Sequence, residues 1–141
     1  MSVTTIQKSI FIKADRETVW SYITEADKLA EWFHPAATDL APDKPYALLA
    51  DANDPESKIA WGDVTTFDKP SKLVYTFSLK PMGDGVTTVS WVLEDAAGGT
   101  RLTIVHEGID EATKDTGTGF LFALDAGWDK HFEKLRAVAG A

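Results

Sequence analysis

The central part of the chain alternates between apolar and polar residues with a period of two. The alternation covers residues 59–67, 72–80, 86–94 and 100–107, and residues 3–13 show it near the N-terminus. Short segments rich in Asp, Pro and Gly separate the four central runs, and this spacing is typical of hairpins. The pattern therefore predicts an antiparallel meander of strands, accompanied by one further strand at the N-terminus.

The same alternation divides the predicted strands into two faces. The first face carries Leu73, Tyr75, Phe77, Leu79, Val89, Trp91, Leu93, Leu102, Ile104 and His106. The second face carries hydroxyl and charged side chains such as Thr103 and Arg101. Such a sheet has one face in water and the other face covered. The direction of Trp61 stays open, because a bulge near Gly62 would turn this side chain outward.

Two short helices are predicted between the first strand and the meander. Asp15 stands where an N-cap is expected for a helix that continues through Ile23. Thr24 is expected to cap a second helix, with an acidic residue three positions later. This helix ends just before Pro35, because proline disfavours helical backbone in the residue that precedes it.

The C-terminal segment supplies the cover for the apolar face. Apolar residues recur there at spacings of three and four, which predicts one long amphipathic helix from about Phe120 to Val138. The apolar stripe of this helix consists of Leu121, Leu124, Trp128, Phe132, Leu135 and Val138. Gly127 costs about 1 kcal/mol of helix propensity, and we expect it to allow a close approach of the helix to the sheet.

One helix is too narrow to cover a flat sheet of this size. With side chains a helix is about 10–12 Å wide, whereas six strands spaced at about 4.8 Å span more than twice that width. We therefore predict an α+β fold in which a curved antiparallel sheet of about six strands wraps around the long C-terminal helix. The two short N-terminal helices seal one edge. A pocket is expected where the sheet and the helix do not meet completely.

The amino-acid composition bears on the same pocket. The 141 residues have the length of one ordinary domain, and we expect residues 1–141 to form it. Seven Phe, three Tyr and five Trp are enough bulky rings to build either a solid core or the walls of a cavity. Because one helix is narrower than the sheet it covers, we favour the cavity over the solid core. Its predicted ligand-binding residues are Trp32, Phe33, Tyr75, Phe77, Trp91, His106, Phe120, Leu124 and Trp128.

Charge and residue types argue against several classes of partner and chemistry. A net charge of −8 opposes binding to nucleic acid or to an anionic membrane surface. The absence of cysteine excludes thiol nucleophiles, thiolate metal sites and disulfides. The N-terminus does not look like a signal peptide, and no run approaches the roughly 20 apolar residues of a membrane span. We therefore expect a cytoplasmic protein with no membrane insertion.

Metal and protease chemistry have little support in the sequence. His34, His106 and His131 are too far apart for a local metal-ligand spacing, so we predict no metal and no cofactor. His131 lies at the border of the helix stripe, and we expect it to serve packing. The Asp-Thr-Gly motif at 115–117 occurs once, whereas aspartic proteases need two such carboxylates. We expect a loop and a helix cap at this motif.

His106 is the most informative polar residue, because alternation places it on the covered face beside Leu102 and Ile104. One hypothesis makes it a hydrogen-bonding group or general acid/base at the cavity wall, with Tyr75 as a second proton-transfer residue. The other hypothesis makes it a buried structural histidine, bonded to a backbone carbonyl or to Trp128 or Tyr75. Alternation along the strands indicates no Ser-His-Asp or paired-carboxylate arrangement.

Several segments, in order along the chain, carry a resemblance to a known family. These segments are Asp15–Trp20, Leu29–Phe33, Gly62–Val64, Pro70–Phe77, Gly99–Gly108 and Gly127–Trp128. Together they resemble the family named after the activator of the heat-shock-protein-ninety ATPase, within the START-like superfamily. The match runs from residue 3 to 138 and is weakest over 36–57, where one strand is expected at about 46–50. The resemblance implies a helix-grip fold with a hydrophobic cavity beneath the C-terminal helix.

The resemblance says less about function, since members of this superfamily range from ligand binders to enzymes. We favour a non-enzymatic protein that binds a small apolar or aromatic molecule. One alternative is a polyketide cyclase or dehydratase that uses His106 and Tyr75 for proton transfer. Another is an interaction protein similar to the chaperone ATPase activators, although the sequence indicates no particular protein partner.

Overall fold

The computed structural model describes residues 4–113 and 120–140. The strands in these ranges are β1 (Ile6–Ile12), β2 (Pro45–Leu49), β3 (Lys58–Asp68), β4 (Lys72–Leu79), β5 (Thr87–Ala96) and β6 (Gly99–Glu107). The helices are α1 (Arg16–Thr24), α2 (Ala26–Trp32), α3 (Ile109–Thr113) and α4 (Phe120–Ala139). The motif at 115–117 lies outside the described residues.

The strands form one antiparallel sheet in the order β1-β6-β5-β4-β3-β2. Consecutive strands from β2 to β6 pair with one another, and β1 adds to the free edge of β6. The predicted α+β fold is confirmed: a curved six-stranded sheet, a long C-terminal helix and two short N-terminal helices. β2 is the strand expected at about 46–50, and α3 was not predicted.

The face predicted to be covered is the buried face of the sheet. Trp91 pairs with Ile104 and Val89 pairs with His106, and all four side chains are buried. Trp61 lies directly opposite Ser78, on the other face of the sheet, and is half-buried. The Trp61 side chain therefore faces away from α4.

Three strands meet closely at Gly62. A Cβ atom on Gly62 would overlap the backbone carbonyl oxygen of Thr76 on the neighbouring strand β4. That oxygen accepts a hydrogen bond from the Tyr46 hydroxyl of β2 at 2.6 Å, and Thr76 Oγ1 accepts one from the Asp63 N–H at 2.9 Å. β2, β3 and β4 are thus joined around one residue, and the space beside it admits only glycine.

Carboxylates cap both N-terminal helices. The Thr18 N–H donates to Asp15 Oδ1 at 2.9 Å, which confirms Asp15 as the cap of α1. The prediction that Thr24 caps α2 is wrong. Thr24 is the last residue of α1, and its hydroxyl donates to a carbonyl four residues earlier at 2.8 Å. The Ala26 N–H of α2 instead donates to Asp39 Oδ1 at 2.7 Å, so a residue beyond the helix supplies the cap.

α4 packs most tightly from Trp128 onward. Its buried residues are Trp128, Phe132, Leu135 and Ala139. Leu121 and Leu124, in the first turns, are only half-buried. Lys8 of β1 forms ion pairs with Asp125 at 2.9 Å and Asp129 at 2.8 Å along one side of the helix. The N-terminal turns of α4 are therefore the part that the core covers least.

We expect Gly62→Ala to lower the free energy of unfolding by about 1–3 kcal/mol, because the new methyl group forces β3 away from Thr76. Gly127→Ala is the matched control. A Cβ at Gly127 meets no atom within 4 Å, so this change should raise stability by about 1 kcal/mol through helix propensity. Urea unfolding of both variants checks the prediction, and equal effects of the two changes would contradict it.

Candidate functional site

A pocket of about 270 Å³ lies where the first turns of α4 pass over the end of α2 and the end of β4. Its lining residues are Phe33, His34, Phe77, Leu79, Phe120, Ala123, Leu124, Gly127, Trp128 and His131. Most of these side chains are aromatic or aliphatic, and the two histidines are the polar ones. The pocket thus coincides with the less buried part of α4.

The pocket contains some of the residues predicted from the sequence and excludes others. Phe33, Phe77, Phe120, Leu124 and Trp128 line it. The other four predicted residues, Trp32, Tyr75, Trp91 and His106, lie in the packed core behind the pocket and do not line it. Alternation placed them on the correct face of the sheet but did not show how deep along the strands the pocket lies.

Phe33 is the centre of the aromatic wall. It is the C-cap of α2, and its backbone leaves the helical conformation at φ −121° and ψ −101°. Its ring stacks on Trp32 with a centroid distance of 5.1 Å and on Trp128 with one of 5.3 Å. Each such pair contributes about 0.5–1.5 kcal/mol beyond its burial of area. The Phe33 ring therefore connects the end of α2 to α4 and to Phe77 of β4, whose ring centroid is 6.5 Å from that of Phe33.

His106 lies behind Trp128, and both of its ring nitrogens are hydrogen-bonded. Trp128 Nε1–H donates to His106 Nδ1 at 3.1 Å, so Nδ1 carries no proton. The proton is on Nε2, which donates to Thr87 Oγ1 at 2.8 Å, and the Thr87 hydroxyl donates to the Phe77 carbonyl at 2.6 Å. Burial lowers the pKa of His106 to about 4. The ring is therefore a neutral bridge between α4 and the sheet.

Tyr75 also lies in the core behind the pocket. Its hydroxyl accepts a hydrogen bond from Trp91 Nε1 at 3.0 Å, and burial raises the pKa of the phenol, which stays protonated. The third indole near the pocket, that of Trp32, donates to the Tyr22 carbonyl at 2.8 Å. Each buried indole N–H around the pocket thus has a partner, as buried polar groups require.

Two histidines stand side by side on the pocket wall. His34 follows α2 and His131 belongs to α4, and their ring centroids are 5.4 Å apart. His131 Nδ1–H donates to the Trp32 carbonyl at 3.2 Å. Burial is the main cause that lowers the pKa of both rings, to about 4 for His131, and the positive charge of Lys134 lowers both further. Both imidazoles are therefore neutral at pH 7.

Gly127 leaves open space beside the helix. The expectation that it allows a close approach to the sheet is wrong, because a Cβ atom there would meet nothing within 4 Å. Gly127 lies on the pocket instead, one helical turn before His131. The sequence contains a signal for the pocket positions of Gly127 and His131, since both residues share with Trp128 the spacing of one helix face. His34 had no such signal, because its position depends on where Pro35 directs the chain.

The described ranges contain no group of three His, Asp or Glu side chains placed to hold a metal ion. Among the same residues, no helix has the length and apolar character needed to cross a bilayer.

The curved six-stranded sheet and the long helix that it grips define the helix-grip class of folds. A family model for Activator of Hsp90 ATPase homolog 1-like proteins matches residues 13–140, and the chain belongs to this family. A comparison with curated proteins gave no match.

Several solved structures share the fold. The HSP90 activator PFC0360w from Plasmodium falciparum has a TM-score of 0.81 at 19% identity, with 96% of each chain covered. CalU16 from Micromonospora echinospora has a TM-score of 0.75 at 21% identity, with 96% of this chain and 75% of CalU16 covered. BH1534 from Bacillus halodurans has a TM-score of 0.74 at 26% identity, with 96% of each chain covered. The first two likenesses concern the fold alone.

The neutral state of His106 leads to a prediction about pH. An imidazole titrates near 6.5 in the unfolded chain and near 4 in the fold, so His106 supports stability fully above pH 6.5. That contribution is lost progressively as the pH falls from 6.5 to 4. At pH 4 we expect the free energy of unfolding to have dropped by about 3 kcal/mol from this residue alone.

Denaturant unfolding at pH 7 and pH 4 measures the effect against His106→Gln, which keeps a hydrogen-bond donor and an acceptor but does not titrate in this range. The difference between the two pH values should be smaller in the variant by that amount. Equal losses in both proteins would show that His106 is not held neutral.

Proposed function

We propose that the protein binds a small apolar or aromatic molecule in the pocket between α2, β4 and α4. The observation that carries this proposal is the wall formed by Phe33, Phe77 and Trp128, next to the open space at Gly127. Ligand sites are concave and mostly apolar, with a few polar groups, and this pocket has that character.

The size of the pocket favours a compact ligand. Ligand pockets usually enclose roughly 300–1,000 Å³, and an engineered apolar cavity of about 150 Å³ in another protein binds benzene. A volume of about 270 Å³ therefore suits a compound of one or two fused rings. Flat rings can also pack against the wall that Phe33 and Trp128 form, where the two ring planes are 27° apart.

Binding without catalysis has better support than proton transfer by His106 and Tyr75. Neither residue lines the pocket, and the two nitrogens of His106 are already bonded to Trp128 and Thr87. A general acid or base must come within hydrogen-bond reach of the reacting atom. For either residue, that reach would require the wall in front of it to open.

A chaperone-related role rests on the family and on the fold shared with PFC0360w, whose name describes an HSP90 activator. The pocket, by contrast, is a feature of this chain itself and not a likeness to another protein. It supports small-molecule binding.

Naphthalene serves as a probe of the pocket, followed by the indole N–H signals of the five tryptophans in two-dimensional NMR. We expect the Trp128 signal to shift on titration, because Trp128 lines the pocket, whereas the Trp61 signal stays in place on the outer face of the sheet. Gly127→Leu should reduce naphthalene affinity at least about tenfold by filling the open space.

The matched control is Ala126→Leu, which adds the same side chain at the preceding, exposed position of α4. Its affinity for naphthalene should equal that of the unmodified chain. The absence of any Trp128 shift up to the solubility limit of naphthalene would argue against the proposed function, and so would equal losses in the two leucine variants.

A further inference from the structure

The pocket has one polar end, formed by His34 and His131. The opposite walls are the rings and aliphatic side chains described above, so a bound molecule meets hydrogen-bonding side chains at this end. The two rings are in edge contact, with planes 74° apart, and Phe33 packs against both at 4.7 and 4.8 Å. The polar end is therefore held in place by the same ring that forms the aromatic wall.

The bond to the Trp32 carbonyl fixes which form of His131 is present. A carbonyl only accepts hydrogen bonds, so Nδ1 carries the proton and the other nitrogen, Nε2, keeps its lone pair. In the part of the chain that the structure describes, no buried side-chain nitrogen or oxygen lacks a partner. No bond to Nε2 is formed there, so this atom has accessible surface and its lone pair is unused within the described residues.

The polar end offers hydrogen bonds rather than charge. His34 and His131 are uncharged at neutral pH, because burial lowers the pKa of both rings. The cation that acts on them is Lys134, which is exposed on α4 and does not line the pocket. A net charge of −8 on the chain also opposes the entry of an anion.

We infer that the ligand is a neutral hydroxylated aromatic molecule of the phenol class, whose rings pack against the Phe33–Trp128 wall and whose hydroxyl donates to His131 Nε2. The imidazole of His34, with its ring centroid 5.4 Å from that of His131, lines the same end of the pocket. This inference rests on the proposed function and adds to it the chemical class of the ligand. His131 is a specificity-determining residue in this scheme, since a ring without a hydroxyl leaves its acceptor unused.

The test compares naphthol with naphthalene, which has the same rings and no hydroxyl. One net hydrogen bond corresponds to about a tenfold preference for naphthol in the unmodified chain. In His131→Phe, which keeps an aromatic ring of similar size, the preference should fall to about one while naphthalene still binds. Lys134→Gln, which removes the nearby charge without changing His131, should retain the preference.

A second measurement protects the test against a variant that folds poorly. In the unmodified chain with isotope-labelled histidine, the Nε2 resonance of His131 should shift with naphthol and stay in place with naphthalene.

Failure of the phenol inference and failure of the proposed function give different binding results. Equal affinity for naphthol and naphthalene overturns the phenol inference and leaves the proposed function standing. Tighter binding of naphthoate than of naphthol also overturns it, because the pocket would then select a negative charge. If neither probe binds, both the inference and the proposed function are overturned.

Discussion

The hydrogen bond from Trp128 to His106 determines how closely α4 approaches the sheet. An indole N–H left buried without a partner costs about 1–3 kcal/mol, so the helix must lie where Nε1 reaches His106 Nδ1 at 3.1 Å. His106 is in turn held through Thr87 to the backbone of β4. α4 is thus fixed to the sheet at Trp128, whereas Leu121 and Leu124 in its first turns are only half-buried. The pocket is the space that remains beneath them.

The aromatic residues divide into a core and a wall, and Trp128 belongs to both. Its N–H points to His106 in the core, whereas its ring lines the pocket beside Phe33. Trp91 and Trp32 are buried to 1% and 2% exposure and belong to the core alone. The aromatic rings therefore build both a packed core and the wall of the pocket, because the core rings lie directly behind the wall rings.

The fold could be predicted from the sequence because its two strongest patterns are local. Period two over the meander and spacings of three and four in α4 each follow from which side of one element is covered. The failures involve residues that are distant in sequence. Asp39 caps α2 across 13 positions, and His34 meets His131 only after Pro35 has turned the chain. The prediction for Gly127 is wrong because helix propensity does not show what lies opposite a missing side chain.

The candidate site could be predicted only in part for a related reason. Alternation assigns Tyr75 and Phe77 to the same face of the sheet, but it does not show where along the strand the pocket ends. Of the two residues, Phe77 lines the pocket and Tyr75 does not. Depth depends on where α4 crosses the strands, which the Trp128–His106 bond decides. The structural hypothesis for His106 included Trp128 among its partners, but the two residues are 22 positions apart and no local pattern selects Trp128 over Tyr75.

The cap of α2 has a consequence for how the pocket is reached. α2 has seven residues, too few for a stable isolated helix, and its first N–H depends on Asp39. The segment after it is bound to β2, with Ala37 N–H donating to the Ala47 carbonyl at 2.9 Å and Leu49 N–H donating to the Pro35 carbonyl at 2.8 Å. Hydrogen bonds thus link the cap of α2 and the segment that follows it to β2. Because this segment includes His34 and directly follows Phe33 in the chain, one rim of the pocket is joined by hydrogen bonds to the edge strand β2 as well as by ring packing to the central strand β4.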